Sequence, residues 1–156
     1  MKLSIKKVKQ EHFNSVYELL KQEDFPYLPV DKQTAFNELN QSDNFIYAGF
    51  LEDNLVLFLC FSIRNHKLYF DIACSKKYQR KWANKKILKF IFETAFIDLN
   101  FQEFYVESFT HKARNVVEKF GFKKVDSCFY VLNKNSKVVN KYLQIEDKIN
   151  ETTIKK

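Results

Sequence analysis

The chain has 156 residues, of which 46% are hydrophobic, 17% aromatic and 29% charged; this suits one globular domain and excludes a disordered chain. Only two glycines, Gly49 and Gly121, and two prolines, Pro26 and Pro29, occur, which excludes a Walker A loop, a dinucleotide G-x-G-x-x-G turn and an EF-hand loop. The net charge of +7 is concentrated in part at 76–89, where Lys76, Lys77, Arg80, Lys81, Lys85, Lys86 and Lys89 stand with no acidic residue among them, a pattern that attracts phosphate groups.

Residues 3–8 (LSIKKV) read as a short strand. Phe13, Val16, Tyr17 and Leu20 follow at the spacing of an amphipathic helix. After the two prolines, Asp31 is placed to cap a shorter helix carrying Ala35, Phe36 and Leu39. Two β-rich runs, Phe45–Leu51 and Leu55–Ile63, meet through Glu52-Asp53-Asn54 as a hairpin, and a turn at Asn65-His66 leads into a third antiparallel strand, Lys67–Cys74. A long helix is predicted from Trp82 to Leu99. Ile87, Leu88, Ile91, Ala95 and Leu99 form its main stripe, widened by Phe90, Phe92, Phe96 and Ile97. Gln102–Phe109 reads as a strand, and Thr110 as the cap of a helix carrying Ala113, Val116, Val117 and Phe120 that Gly121 ends. Phe122–Leu132 and Val138–Ile145 read as two final strands around a turn at Asn133–Lys137.

These elements give one domain over 1–148, followed by a polar tail at 149–156. The fold class is α/β: a mixed, mostly antiparallel sheet of about seven strands with helices on both faces. At its centre lies a β-α-β unit whose strands, 67–74 and 102–109, run parallel by the crossover rule. Cys60, Cys74 and Cys128 are odd in number and widely spaced, so neither a zinc site nor a disulfide framework is expected. The opening MKLSIKKVKQ has no apolar h-region, and the longest apolar run, Leu55–Phe61, is too short to cross a bilayer. A cytoplasmic, reduced setting without membrane attachment is the expectation.

The basic loop falls where strand 67–74 feeds the long helix. A helix N-terminus there exposes unpaired N–H groups and the positive end of the macrodipole, and ringed with Lys and Arg it favours a polyphosphate. The element order, the loop Gln79-Arg80-Lys81-Trp82-Ala83-Asn84 and the downstream Glu118-Lys119-Phe120-Gly121-Phe122 resemble the GCN5-related N-acetyltransferase superfamily over about residues 3 to 146. In that superfamily [QR]-x-x-G-x-[GA] wraps the acetyl-CoA pyrophosphate, and E-K-x-G-F closes the helix after the fifth strand. Trp82 and Asn84 stand at the two glycine positions, Thr110 at that of a cofactor-contacting Asn, and Val117 at that of a Tyr that protonates the leaving thiolate.

The resemblance implies the acyl-CoA N-acyltransferase fold and acetyl-CoA, or another acyl-CoA, as co-substrate, with no metal. Main-chain groups of Ala73 and Cys74 would pair with the pantetheine arm. N–H groups of Arg80, Lys81, Trp82, Ala83, Asn84 and Lys85, following Gln79, would hold the pyrophosphate. A small-molecule or peptide amine is the implied acceptor, taking the acetyl group directly in a ternary complex, and a homodimer is compatible with the family. Asp71, on the half of its strand shared with Tyr69 and Ala73, and Glu107, in the next strand, are the candidate general bases for generating the neutral amine. A solvent-facing strand residue or a cross-strand ion pair is the structural alternative for each. Two other readings compete: a degenerate acyl-CoA-binding or protein-interaction module of the same fold, and a nucleic-acid binder using the basic cluster, which no recognised nucleic-acid motif accompanies. The region Phe25–Leu28 and the hairpin near Asn133–Lys137 are the expected walls of the acceptor pocket.

Overall fold

A computed structural model of the chain describes residues 3–23, 25, 27–78, 85–107 and 117–143. Seven strands form one mixed sheet: β1 (Leu3–Lys7), β2 (Asn44–Leu51), β3 (Asn54–Arg64), β4 (Lys67–Cys74), β5 (Glu103–Glu107), β6 (Lys123–Lys124) and β7 (Phe129–Asn133). Their order is β1-β2-β3-β4-β5-β7-β6, mostly antiparallel with one parallel pair. Helices α1 (Phe13–Gln22), α2 (Lys32–Leu39) and α3 (Lys85–Phe92) join them. The chain divides into two compact units, Met1–His66 with Phe70–Trp82, and Lys67–Tyr69 with Ala83–Lys156.

In the first unit, β1, β2 and β3 form an antiparallel meander, with Leu3 opposite Leu51 and Asn44 opposite Ser62. Glu52, at φ 57, opens the tight turn between β2 and β3. Asn65 (φ 51) and His66 (φ 65) both take the left-handed conformation of a type I′ turn between β3 and β4, without a glycine. Between Gly49 and Phe50 the β2–β3 register shifts by a bulge. Gly49 is required here: a Cβ on it would stand 2.9 Å from the Cβ of buried Leu57.

Helix α1 buries Phe13, Val16, Tyr17, Leu19 and Leu20, the stripe its spacing predicts. Asp31 caps α2 as expected, its carboxylate accepting from the Thr34 N–H at 2.9 Å and the Thr34 hydroxyl at 2.7 Å. The Tyr17 hydroxyl reaches the carbonyl oxygens of Pro29 (2.9 Å) and Val30 (2.7 Å) and ties the α1–α2 connection to α1. These helices share one apolar cluster with Ile46, Ala48, Phe58, Cys60 and Ala73.

In the second unit, β5 alternates cleanly. Phe104 and Val106 are buried, whereas Glu103, Tyr105 and Glu107 are half-buried on the opposite face. Phe104 meets Phe96 at 5.4 Å and stands edge-on to Phe122 at 5.5 Å, so this core is built on benzyl rings, as the Phe-rich composition suggests.

Three sequence expectations need correction. The long helix does not keep one register to Leu99. It turns π-helical over Glu93–Asp98, closed by Leu99 N–H to Thr94 O at 2.9 Å. The wider turn shifts the stripe, so Thr94, Ala95 and Phe96 are buried while Ile97 is 57% exposed. Phe122–Leu132 is not one strand but β6 and β7 around an Asx turn, in which the Asp126 carboxylate accepts from the N–H groups of Cys128 and Phe129. Val138–Ile145 was expected to be a strand; residues 137–143 are helical instead. Ser136 starts that helix, its hydroxyl facing Val139 N–H at 3.4 Å and its carbonyl accepting from Asn140 N–H at 3.1 Å. Val138, Val139 and Tyr142 lie at helical spacing, which outweighs the β-branching of the two valines.

Candidate active site

The expected site residues lie in two groups, one in each unit. Asp71, Ala73 and Cys74 occupy the end of β4. The two-residue turn at Asn65-His66 sets the β3–β4 register, carried down to Ser75 N–H donating to Val56 O at 2.9 Å. The same register sets Asp71 opposite Cys60, and the Asp71 charge adds to the burial that pushes the Cys60 thiol up to about 11. Because Ser75 turns its N–H toward β3, the peptide groups of Cys74 point to the other edge of β4.

Asp71 is half-buried, and strand alternation puts it on the face of Ala73, which belongs to the apolar cluster under α1. Cys74 is buried, and burial, reinforced by the Glu23 charge, pushes its thiol up to about 12. It is a protonated thiol at neutral pH and no nucleophile. Ser75 N–H is used by β3 and its carbonyl by Tyr78 N–H at 2.9 Å, but its buried hydroxyl has no hydrogen-bond partner among the described residues. That residue escaped sequence reasoning, because a lone Ser before a basic loop carries no pattern.

In the second unit, Lys85 and Lys86 are exposed in the first turn of α3, where no acidic residue stands. Gln79, Arg80, Lys81, Trp82, Ala83, Asn84 and Thr110 lie outside the described residues. Glu107 ends β5, half-buried and paired in register with Phe129, its carboxylate 3.9 Å from the Cys128 thiol.

The Glu118–Phe122 motif has a geometric cause. Gly121 takes φ 90 and donates its N–H to Glu118 O at 3.0 Å, while Phe122 N–H reaches back to Val117 O at 3.1 Å, which is a Schellman ending. Glu118 also accepts from the hydroxyl of buried Tyr130 at 3.2 Å, and Phe122 packs on Phe104, so each end of the motif is fastened to the core.

Of the expected pocket walls, Phe25 and Leu28 pack against the α1–α2 cluster, with Phe25 edge-on to Phe58 at 5.6 Å, whereas Tyr27 is 85% exposed. Among the described residues no group of three or more His, Cys, Asp or Glu could hold a metal ion, and no helix is long and apolar enough to cross a membrane.

No curated protein matches the chain in sequence. Solved structures do match in fold. The spermidine/spermine N-acetyltransferase SpeG of Vibrio cholerae, in mutant form, is 13% identical over 92% of this chain and 98% of its own, with a TM-score of 0.73. The ribosomal-protein-S18-alanine N-acetyltransferase of Escherichia coli is 13% identical over 85% and 94%, with a TM-score of 0.65. An acetyltransferase of the GNAT family from Staphylococcus aureus Mu50 is 15% identical over 85% and 99%, with a TM-score of 0.65. The model of the acetyltransferase (GNAT) family matches residues 13–122, from the first residue of α1 through the end of β4 to the Gly121 turn. The elements that carry the candidate site fall within that span, and the chain belongs to the acetyltransferase (GNAT) family.

Proposed function

We propose that the protein is an acetyl-CoA-dependent N-acetyltransferase that moves an acetyl group directly to an amine in a ternary complex. The observation that carries this reading is the end of β4. There the Cys74 peptide faces away from β3, and the Ser75 hydroxyl is buried without a partner among the described residues. A buried hydroxyl left unpaired costs about 1–3 kcal/mol, so it calls for a polar partner. In the second unit, Lys85 and Lys86 are exposed at the start of α3 and carry the charge that the phosphates of an acyl-CoA need.

When bound, acetyl-CoA supplies the activated acetyl group. The main chain of Cys74 would align the pantetheine arm, whereas alternation along β4 turns the peptide groups of Ala73 toward β3, so Ala73 would only border the arm. The amides of Arg80, Lys81, Trp82, Ala83, Asn84 and Lys85, after Gln79, would grip the diphosphate. Thr110 takes the position of a further cofactor contact. Asp71 or Glu107 accepts the proton that an acceptor ammonium must lose before its nitrogen can attack. Tyr130 is a core residue hydrogen-bonded to Glu118, and the Tyr105 hydroxyl is on Glu103, so neither stands free to take the role of the tyrosine absent at Val117.

The test is coenzyme A thiol release over a panel of amines, with acetyl-CoA binding measured in parallel. Release that depends on the amine, lost in Glu107→Gln or Asp71→Asn, is expected. Binding without release on any amine favours an acyl-CoA-binding module of the same fold, and absence of both removes the reading.

A further inference from the structure

In the second unit, the face of β5 opposite buried Phe104 and Val106 carries, with Tyr69 and Phe129, an aromatic and acidic strip. Tyr69 and Tyr105 stand with ring centroids 5.5 Å apart and planes inclined by 33°, and Phe129 closes on Tyr69 at 6.0 Å and 74°. All three are half-buried. Glu103 and Glu107 flank Tyr105 on the same side of β5; the Glu103 carboxylate accepts from the Tyr105 hydroxyl at 2.9 Å, and burial, reinforced by that bond, holds the phenol above its ordinary value. A cation already sits there: the ammonium of exposed Lys67 lies 5.3 Å from the Tyr105 ring centroid.

From this cluster we propose that the strip is an ammonium-binding subsite, and that the amine acceptor is a diamine or longer polyamine. One nitrogen reacts beside Glu107 while another is held, still charged, over Tyr105 against Glu103. The aromatic face attracts a cation through its quadrupole, and the carboxylate supplies the counter-charge. Tyr105 and Glu107 are two residues apart on one strand face, about 7 Å, which a four-carbon diamine spans. The Lys67 ammonium occupies the ring in the absence of ligand and competes for it. The role as an acceptor subsite rests on the acetyltransferase reading; ammonium binding itself does not.

The experiment titrates 1,4-diaminobutane and butylamine into the full-length protein by calorimetry, with acetyl-CoA titrated separately. The diamine is expected to bind at least fivefold more tightly than the monoamine. Lys67→Gln, a surface change, should tighten diamine binding several-fold by vacating the ring, whereas Lys137→Gln, an exposed lysine outside the ring contacts of the strip, should leave it unchanged. Tyr105→Leu should weaken it about tenfold and Tyr105→Phe by less, with folding of each variant checked by thermal melting. Opposite signs at Lys67 and Tyr105 are the signature that a structural role lacks. Equal affinity for the two amines, or a Lys67→Gln variant that binds no better than Lys137→Gln, overturns the subsite even where acetyl-CoA binds and acetyl transfer is found. A protein that binds the diamine in this pattern but not acetyl-CoA keeps the ammonium site and loses the acetyltransferase reading.

Discussion

Replacing Ser75 by Ala removes one oxygen and leaves the Cβ in place between buried Cys74 and the turn that ends at buried Tyr78. The hydroxyl has no partner among the described residues, so in the ligand-free protein it contributes only its desolvation cost. That cost is about 1–3 kcal/mol for a buried unsatisfied group, and the partial burial of the residue as a whole points to the lower end. The variant should therefore be more stable than the parent by about 1 kcal/mol, a rise in Tm of roughly 2–4 °C for a chain of this size. With saturating acetyl-CoA the order should reverse: a hydroxyl that finds its partner on the ligand contributes about 1 kcal/mol there instead of costing about 1 kcal/mol, so Ser75→Ala should lose about 2 kcal/mol of binding and hold the cofactor roughly thirtyfold more weakly. Differential scanning fluorimetry with and without acetyl-CoA, backed by calorimetric Kd values, reads both signs on one sample. A variant that melts below the parent without ligand, or binds acetyl-CoA equally well, refutes the assignment of an orphaned, ligand-facing hydroxyl.

Gly121→Ala should lose about 1–2 kcal/mol in urea unfolding; φ 90 is strained for a residue with a Cβ although the nearest neighbour, Val138, leaves room at 3.7 Å. Gly121→Asn should lose less, and a neutral Gly121→Ala would contradict the Schellman ending. Bonding to Thr34 lowers the Asp31 pKa from 3.8, so Asp31 stabilises the fold above that value and the contribution fades as pH falls through the lowered one. Asp31→Asn should flatten that part of the stability-versus-pH curve, and an unchanged slope would exclude the cap as its source. Cys60 and Cys74, buried with thiols raised to about 11 and about 12, should resist iodoacetamide at pH 7.5 while half-buried Cys128 is alkylated. Peptide mass spectrometry reads the order, and early modification of Cys74 would contradict its burial.

Local signals made most of the fold legible. The Asp31 cap, the helical stripe of α1 and the Asn65-His66 turn each act within a few residues, and each took the expected form. Where a widened helical turn or a single polar side chain overrode the apolar pattern, periodicity failed. The π-helical turn at Glu93–Asp98 rotates Ile97 outward. Ser136 commits 137–143 to a helix although two adjacent valines favour a strand. Asp126 breaks one apparent strand into β6 and β7. In the site, the Glu118–Phe122 motif was readable because a left-handed glycine and two backbone bonds fix its spelling. Ser75, and the strip of Tyr69, Tyr105 and Phe129, were not readable as a site, since each depends on strands brought side by side.

The most direct measurement of the central claim is calorimetric titration of acetyl-CoA into the protein and into Lys85→Ala/Lys86→Ala. One saturable site per chain is predicted, weakened severalfold in the double variant and further by salt, as phosphate contacts at the start of α3 require. No saturable binding at low salt, or binding indifferent to both the lysines and the salt, would contradict it.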